Sequence, residues 1–298
     1  MTHHVIRWAA DATFAAPPQL PYESTGFTRR TVVGEEDGTV HTGFGVCELA
    51  PDGTVGAHVH SYEESFHLLS GTVILDTPEG SYLLAEGDYG LLPTGVPHAW
   101  RGAGDTVARW ADMLAPVPRA RYGYDTRAVP ALPAPAPARI DVRDPRTRSY
   151  GHFEPGQMDP GKQSQDLLAV SASMRTALLV YSGITVKMMV DADLGAVAST
   201  MFMVQYAADG VAGAHDHPFE ETYLIVEGAV DATFDGEHYR LGVGDAAWAG
   251  AGCVHGFTNA GTGPVRWLET QAPQPPSRHS YRFARDWDHL RDKLADTP

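Results

Sequence analysis

The chain has very little lysine. Lys162, Lys187 and Lys293 are its three lysines, and with the arginines they make 22 basic residues against 37 acidic ones, a formal charge of −15. Such a field repels phosphate backbones and anionic lipid, so neither nucleic acid nor a membrane surface is expected as a partner. Long apolar runs are also missing, and none approaches the roughly 20 residues needed to cross a bilayer. The opening MTHHVIRWAADATF lacks the apolar core of a signal peptide, which predicts a cytoplasmic protein. Cysteine is scarce: Cys47 and Cys253 cannot build a disulfide framework and are expected as buried or reduced thiols.

What is present is an internal repeat. GAHVHSYEESFHLLSG, residues 56–71, returns as GAHDHPFEETYLIVEG, residues 213–228. From Ala50 to Trp110 and from Ala207 to Trp267 a constant offset of 157 applies without a gap, aligning Asp52-Gly53 with Asp209-Gly210, His98 with His255, and Arg109-Trp110 with Arg266-Trp267. This predicts two copies of one domain, residues 1–118 and 151–298. Residues 119–150 between them carry VPALPAPAPA, which favours extended polyproline geometry and removes amide donors. They are expected as a linker, laid as a strap over the sheets rather than floating free.

Within each copy the periodicity is that of strands. VHTGFGVCELA, GTVILDT, ASTMFMVQYAA and AVDATFDG are short, rich in β-branched and aromatic residues, and bounded by PDG, PEG, ADG and DGE turns. Helical spacing is clear only near the C-terminus, where Phe283, Trp287, Leu290 and Leu294 predict an amphipathic helix. The expected fold is therefore all-β, two barrels or sandwiches in tandem with a terminal helix.

Side chains at i and i+2 of a strand share a face, so His58 with His60, and His215 with His217, aim paired imidazoles one way. Glu64 and Glu221 keep that parity, and His98 or His255 follows 40 residues after the first histidine of its set. Three imidazoles and one carboxylate suit a divalent first-row metal with open positions. By the same parity Phe66, Leu68 and Trp100 line the first cavity, and Tyr223, Ile225 and Phe257 the second. Apolar walls around one polar point suit a small, partly apolar or aromatic molecule that chelates the metal. Glu63 and Glu220 have the opposite parity and are expected on a solvated outer face, as is Arg101. His3, His4, His41, His152, His238, His279 and His289 fit no pattern and are expected at the surface, while His67 breaks the inward parity of its strand.

The motifs resemble those of the cupin family. The first, paired histidines with a glutamate and a closing glycine, is matched by His58, His60, Glu64 and Gly71, and again by His215, His217, Glu221 and Gly228. The second, glycine then Pro-x-Gly then histidine, is matched by Gly87, Pro93, Gly95 and His98. Its second copy keeps Gly244, Gly252 and His255 but has Gly250 in place of the proline, a departure that loosens a turn without removing a ligand. Asn259 matches the family's asparagine after the last histidine, where the first copy has Gly102. The resemblance implies a bicupin: two jelly-roll barrels of the double-stranded β-helix kind, each with a metal that could be Fe, Mn, Ni, Cu or Zn, and a possible homodimer joined through edge strands.

As family activities the resemblance implies oxygenation, decarboxylation, isomerisation and hydrolysis. The aromatic cavity lining favours a dioxygenase. The alternatives are a hydrolase of a small nitrogenous metabolite, similar to ureidoglycine aminohydrolase, and a non-catalytic cupin that binds metal or a small ligand. No arginine cluster sits beside the ligands to take a phosphate, and the apolar lining argues against oxalate.

Overall fold

A computed structural model describes residues 3–17, 22–141, 143–159, 182–274 and 282–283. The first copy is built from β2 (Ser24–Val33), β3 (Gly43–His60), β4 (Glu63–Ser70), β5 (Thr72–Thr77), β6 (Gly80–Ala85), β7 (Asp88–Leu92), β8 (His98–Ala103) and β9 (Ala108–Ala115), after an N-terminal β1 (His4–Arg7). Three short strands follow, β10 (Thr126–Ala128), β11 (Ala138–Arg139) and β12 (Tyr150–His152). The second copy contains β13 (Ser182–Val190), β14 (Thr200–Asp216), β15 (Glu220–Glu227), β16 (Ala229–Phe234), β17 (Glu237–Gly242), β18 (Ala246–Ala249), β19 (His255–Asn259), β20 (Val265–Ala272) and β21 (Arg282–Phe283). The all-β expectation is met. Of the terminal helix, Arg282 and Phe283 lie in β21, and the rest falls outside the described residues.

Each copy curls one sheet into a barrel. The first runs β11-β6-β5-β8-β3-β9-β4-β7-β12, with β2 and β10 added to β3. The second runs β1-β18-β15-β20-β14-β19-β16-β17, with β13 and β21 added to β14. The cores are the inward faces. Phe66, Leu68, Leu75, Trp100 and Trp110 fill the first, with Trp100 stacked on Trp110 at 5.1 Å. Tyr223, Ile225, Phe234, Phe257 and Trp267 fill the second, with Phe257 and Trp267 at 5.4 Å. Sheets packed on themselves in this way bury the apolar set of every strand at once.

The compact units do not follow chain order. The first takes its described residues from 12–154 and 189–201, the second from 1–11, 155–188 and 202–274 together with 282–283. The described residues of 119–150, expected as a linker, belong to the first unit: β10 pairs with β3 opposite His58 and His60, and β11 runs parallel to β6. Residues 197–199 are held in the same unit by Glu63. Its carboxylate accepts from the amides of Val197 at 2.8 Å and Ser199 at 3.1 Å, and from the Ser199 hydroxyl at 3.1 Å. Glu63 and Glu220 are thus both buried and not on a solvated face. The alternation argument fails there because β4 and β15 are covered on both sides, so parity no longer separates inside from outside.

The missing proline at Gly250 also has a structural cause. β1 pairs antiparallel with β18, and the Gly250 N–H donates to the His3 carbonyl at 2.7 Å. Proline has no such donor, and a side chain here would press on the Trp248 ring, 2.9 Å from where a Cβ would stand. Gly250→Pro is expected to release β1 and to lower stability by about 1 kcal/mol or more, the net worth of one hydrogen bond plus the steric conflict. Chemical denaturation together with hydrogen exchange at Val5 and Ile6 checks this.

Candidate metal centres

The ligand strands are positioned by a repeated irregularity. β3 pairs with β8 in a register that shifts between Val55 and His58, and β14 pairs with β19 in one that shifts between Ala212 and His215. Such bulges re-aim side chains next to sites. They bring His58 opposite His98 and His215 opposite His255. Ring centroids of these two pairs lie 4.1 and 4.3 Å apart, and His60 to His98 and His217 to His255 are both 4.9 Å. The eight residues singled out from the sequence gather as two sets of four.

All six imidazoles are oriented alike. Each Nδ1 meets a backbone carbonyl two residues away: His58 with Gly56 at 2.8 Å, His60 with Tyr62 at 2.7 Å, and His98 with Val96 at 3.0 Å. In the second set His215 meets Gly213 at 2.8 Å, His217 meets Phe219 at 2.8 Å, and His255 meets Cys253 at 3.0 Å. A carbonyl only accepts, so each Nδ1 carries a proton and each Nε2 is turned to the shared centre; Nε2 of His60 and of His217 also meets Glu64 and Glu221 at 3.1 and 2.7 Å, contacts whose shared proton a metal would replace. His98 Nε2 is buried without a hydrogen bond, a cost that a cation at the centre would remove. The reactive nitrogens of His58, His60 and His98 lie within 4.8 Å of one another, as do the ligand atoms of His217, Glu221 and His255. The residues present therefore fit a divalent metal at both places.

Rings stack behind the ligands. Tyr62 lies flat on His60 at 3.9 Å, Phe219 on His217 at 3.9 Å, and Tyr22 on His58 at 4.1 Å. None of these three was singled out from the sequence. Tyr62 and Phe219 were visible as aromatic residues at the same offset of 157, whereas Tyr22 lies before the aligned region.

The two centres differ around the carboxylate. Glu64 Oε2 is 3.1 Å from His60 Nε2 and 3.7 Å from His98 Nε2, and its cross-strand neighbours are Leu92 and Leu114. Glu221 Oε2 is 2.7 Å from His217 Nε2 and 3.4 Å from His255 Nε2. It also accepts from the Tyr223 hydroxyl, which lies 3.0 Å from His255 Nε2. Gln271, cross-strand to Glu221, donates to Oε1 at 2.6 Å. The first copy has Phe66 and Leu114 where the second has Tyr223 and Gln271.

The expected cavity walls are all buried in the barrel cores. Phe66 meets Trp100 edge-on at 5.1 Å and Tyr223 meets Phe257 at 4.8 Å, with Leu68 and Ile225 beside them. Arginines near the first centre are committed. Arg29 forms a fork with Asp112 at 2.8 Å, Arg101 binds Asp76 at 2.6 Å, and Arg266 of the second copy binds Glu227 at 2.8 Å. His67 is buried, and burial lowers its pKa to about 4. Cys253 is fully buried and groups with His4 and Asp235 rather than with the ligand histidines. Asn259 pins a turn, donating to the carbonyls of Ala207 at 2.7 Å and Gly263 at 2.8 Å. At the equivalent Gly102 a Cβ would stand 2.2 Å from the Ala50 carbonyl, so that copy admits only glycine. A surface groove of about 640 Å³ on the second barrel, lined by Asp231, Thr233, His238 and Arg240 among others, contains none of the eight ligand side chains.

The chain is a bicupin of the cupin superfamily: residues 45–114 and 202–270 each match the family described as Cupin domain. Among solved structures it is similar to Lactobacillus farciminis oxalate decarboxylase in a formate complex, at 15% identity and a TM-score of 0.63, covering 98% of this chain and 90% of that one. It is also similar to a deletion mutant of Bacillus subtilis oxalate decarboxylase, at 14% identity and a TM-score of 0.62, covering 98% and 81%. At such identities the likeness is one of fold. No curated protein matches by sequence. Among the described residues no helix is long and apolar enough to cross a membrane.

Burial sets the protonation of the ligands. It lowers His58 to about 4 and His215 to about 3, and takes His98 well below its ordinary value. For His217 burial acts the same way, but the charge of Glu221 and its hydrogen bond outweigh it and the pKa rises. Burial also opposes the charged form of Glu221, yet His217 and His255 hold it well below the usual carboxylate range. Between about pH 4 and 6.5 the unfolded chain thus binds more protons at His58, His98 and His215 than the folded chain does. Four lowered imidazoles, His67 among them, against the raised His217 and the raised carboxyl of Glu269 give a stability that falls as the pH falls through this window. Thermal melts of chelator-treated protein from pH 7 to 4.5 are expected to show a declining Tm, with a shallower decline in His58→Phe.

Proposed function

We propose that His58, His60, His98 and Glu64, and separately His215, His217, His255 and Glu221, each hold a divalent first-row metal, and that the first centre carries the chemistry. The observation behind this division is the surroundings of the two carboxylates. Glu64 has apolar cross-strand neighbours, Leu92 and Leu114, which place hydrocarbon rather than hydrogen-bond donors beside the carboxylate. Glu221 is held from both oxygens by Tyr223, Gln271 and His217, which favours a closed, structural centre. A metal so held supplies a Lewis acid and, if redox-active, an electron relay toward O2. The chain's own residues do the rest. The carbonyl-bound imidazoles present Nε2 without reorganisation, Phe66, Leu68 and Trp100 exclude water, and Tyr22 braces His58.

The substrate class follows from the walls. With Arg29 and Arg101 already paired to Asp112 and Asp76, neither is left to neutralise a dicarboxylate, and the aromatic side chains suit an enol, diketone or phenol that chelates through oxygen. Metal-dependent oxygenation of such a molecule is the reading these features favour. A second reading, decarboxylation of a small carboxylic acid, is supported by the fold likeness to oxalate decarboxylases over nearly the whole chain.

Oxygen uptake by the metal-loaded protein with a panel of enolic and phenolic chelators tests the choice. Substrate-dependent O2 consumption is expected, abolished in His98→Ala and largely retained in His255→Ala. Turnover of the same substrates without oxygen would overturn the oxygenase reading, and CO2 release from oxalate would establish the second. Loss of activity in His255→Ala alone would reverse the roles assigned to the two centres.

A further inference from the structure

A third group of metal-type side chains lies on the second barrel, apart from the ligand histidines. His4 of β1, Asp235 in the turn between β16 and β17, and Cys253 in the turn before β19 bring an imidazole nitrogen, a carboxylate oxygen and a thiol within 4.8 Å of one another. Three segments assemble it, β1, the β16–β17 hairpin and the turn before β19, and the His4 ring is set by a further pair on β17. His4 Nε2 lies 3.0 Å from the Tyr239 hydroxyl, and that hydroxyl donates to Glu237 Oε2 at 2.6 Å. With its proton given to Glu237, Tyr239 accepts from His4, so Nε2 carries the imidazole proton and Nδ1 carries the lone pair. This is the carboxylate-linked orientation that ligating histidines show.

Among the described residues the lone pair has no partner. His4 Nδ1 is buried with no hydrogen-bond partner, in a side chain only 10% exposed, and it faces Asp235 Oδ2 at 3.9 Å. The His4 ring is fixed in this pose by stacking on Phe234 at 5.5 Å. Asp235 Oδ1 is occupied by the Val254 amide at 2.9 Å, which leaves Oδ2 directed at the two histidines, and His3 Nδ1 approaches it at 3.6 Å. A buried nitrogen lone pair opposite a carboxylate oxygen is unfavourable, since both only accept. The pair becomes favourable when a cation lies between them.

We infer that His4, Asp235 and Cys253, completed by His3, form a structural zinc site that fastens the N-terminal strand to the second barrel. Two imidazoles, a carboxylate and a thiolate make a tetrahedral set of the softness zinc prefers. Zinc–ligand bonds of about 2.0–2.3 Å place ligand atoms about 3.4 Å apart. The 3.6 and 3.9 Å separations close to that with small rotations of the exposed His3 and partly exposed Asp235 side chains toward the fixed His4 ring. Binding releases the Cys253 thiol proton to solvent, so that the thiolate coordinates the metal. The site also bears on the second centre, because the Cys253 carbonyl is the acceptor that orients His255 Nδ1.

The surface placement expected for His4 from sequence is corrected here, as its side chain is buried. The reason is that a four-residue strand carries no signal of which sheet edge it will join.

Cobalt titration of the chelator-stripped full chain tests the inference, since a thiolate ligand gives Co2+ an intense near-ultraviolet charge-transfer band. The band is expected in the wild-type protein, along with one equivalent of metal beyond those of the two barrel centres. Cys253→Ser is expected to lose the band and that one equivalent, while Cys47→Ser keeps both. His4→Gln and Asp235→Asn are each expected to weaken the band and to reduce the zinc-dependent rise in Tm to the part that the two barrel centres supply. A wild-type protein with both barrel centres filled but no thiolate band would overturn the inference. So would a band that persists in Cys253→Ser, or a zinc-dependent Tm rise unchanged in both His4→Gln and Asp235→Asn. The histidine centres are read in the same titration by their own equivalents, so failure of the third site leaves the assignment of the other two intact.

Discussion

Six hydrogen bonds from imidazole N–H groups to backbone carbonyls are the constraint on which the rest depends. Each joins a ligand histidine to the carbonyl two residues away, and each lies in a bulge or turn rather than a regular ladder. The barrel is what makes such carbonyls available at fixed positions. Regular pairing would have used them between strands, so the register shifts before His58 and His215 release backbone groups and turn side chains inward together. The same bonds leave Nε2 unprotonated in a buried place, where burial lowers the pKa of His58, His98 and His215 and keeps them neutral at physiological pH. Neutral imidazoles held in one orientation are competent ligands with no proton to displace.

Duplication produced two such constellations, and divergence around them is chemical rather than geometric. Ring separations agree between copies to within about 0.2 Å. Exchange of Phe66 for Tyr223 and of Leu114 for Gln271 converts an apolar wall into two donors aimed at the carboxylate. Glu269, equivalent to Asp112, shows how far this goes. Burial first, and then the charge of Glu221, push its pKa well above the usual carboxylate range, whereas Asp112 is matched by the Arg29 guanidinium. One scaffold thus holds a centre walled by hydrocarbon and another surrounded by a satisfied polar network, and such networks rigidify a site when every member is paired.

Much of this was legible in the sequence. The offset of 157 carried the fold, because a match that brings His-x-His, glutamate and a third histidine into register twice leaves few architectures open. Strand parity identified which residues share the inward face, and Phe66, Trp100, Tyr223 and Phe257 are found in the cores. It failed where strands are covered on both sides, as at Glu63 and Glu220, since period two distinguishes faces only when one of them meets water. It failed also where the partner is remote. Gly250 looked like a loosened turn, but its amide serves a strand nearly 250 residues earlier, and the acidic, tyrosine-linked surroundings of His4 exist only once β1 has paired with β18. Residues 119–150 were expected as a strap, and their proline-rich composition gave no sign that Thr126–Ala128 would add a strand beside His58 and His60.

The central claim is that the two sets of converging Nε2 atoms bind metal independently. Metal content per chain of His98→Ala, His255→Ala and the double variant, measured on protein loaded under identical conditions, tests it most directly. A loss of one equivalent in each single variant and of two in the double variant is predicted. Metal content unchanged by these substitutions would contradict the account.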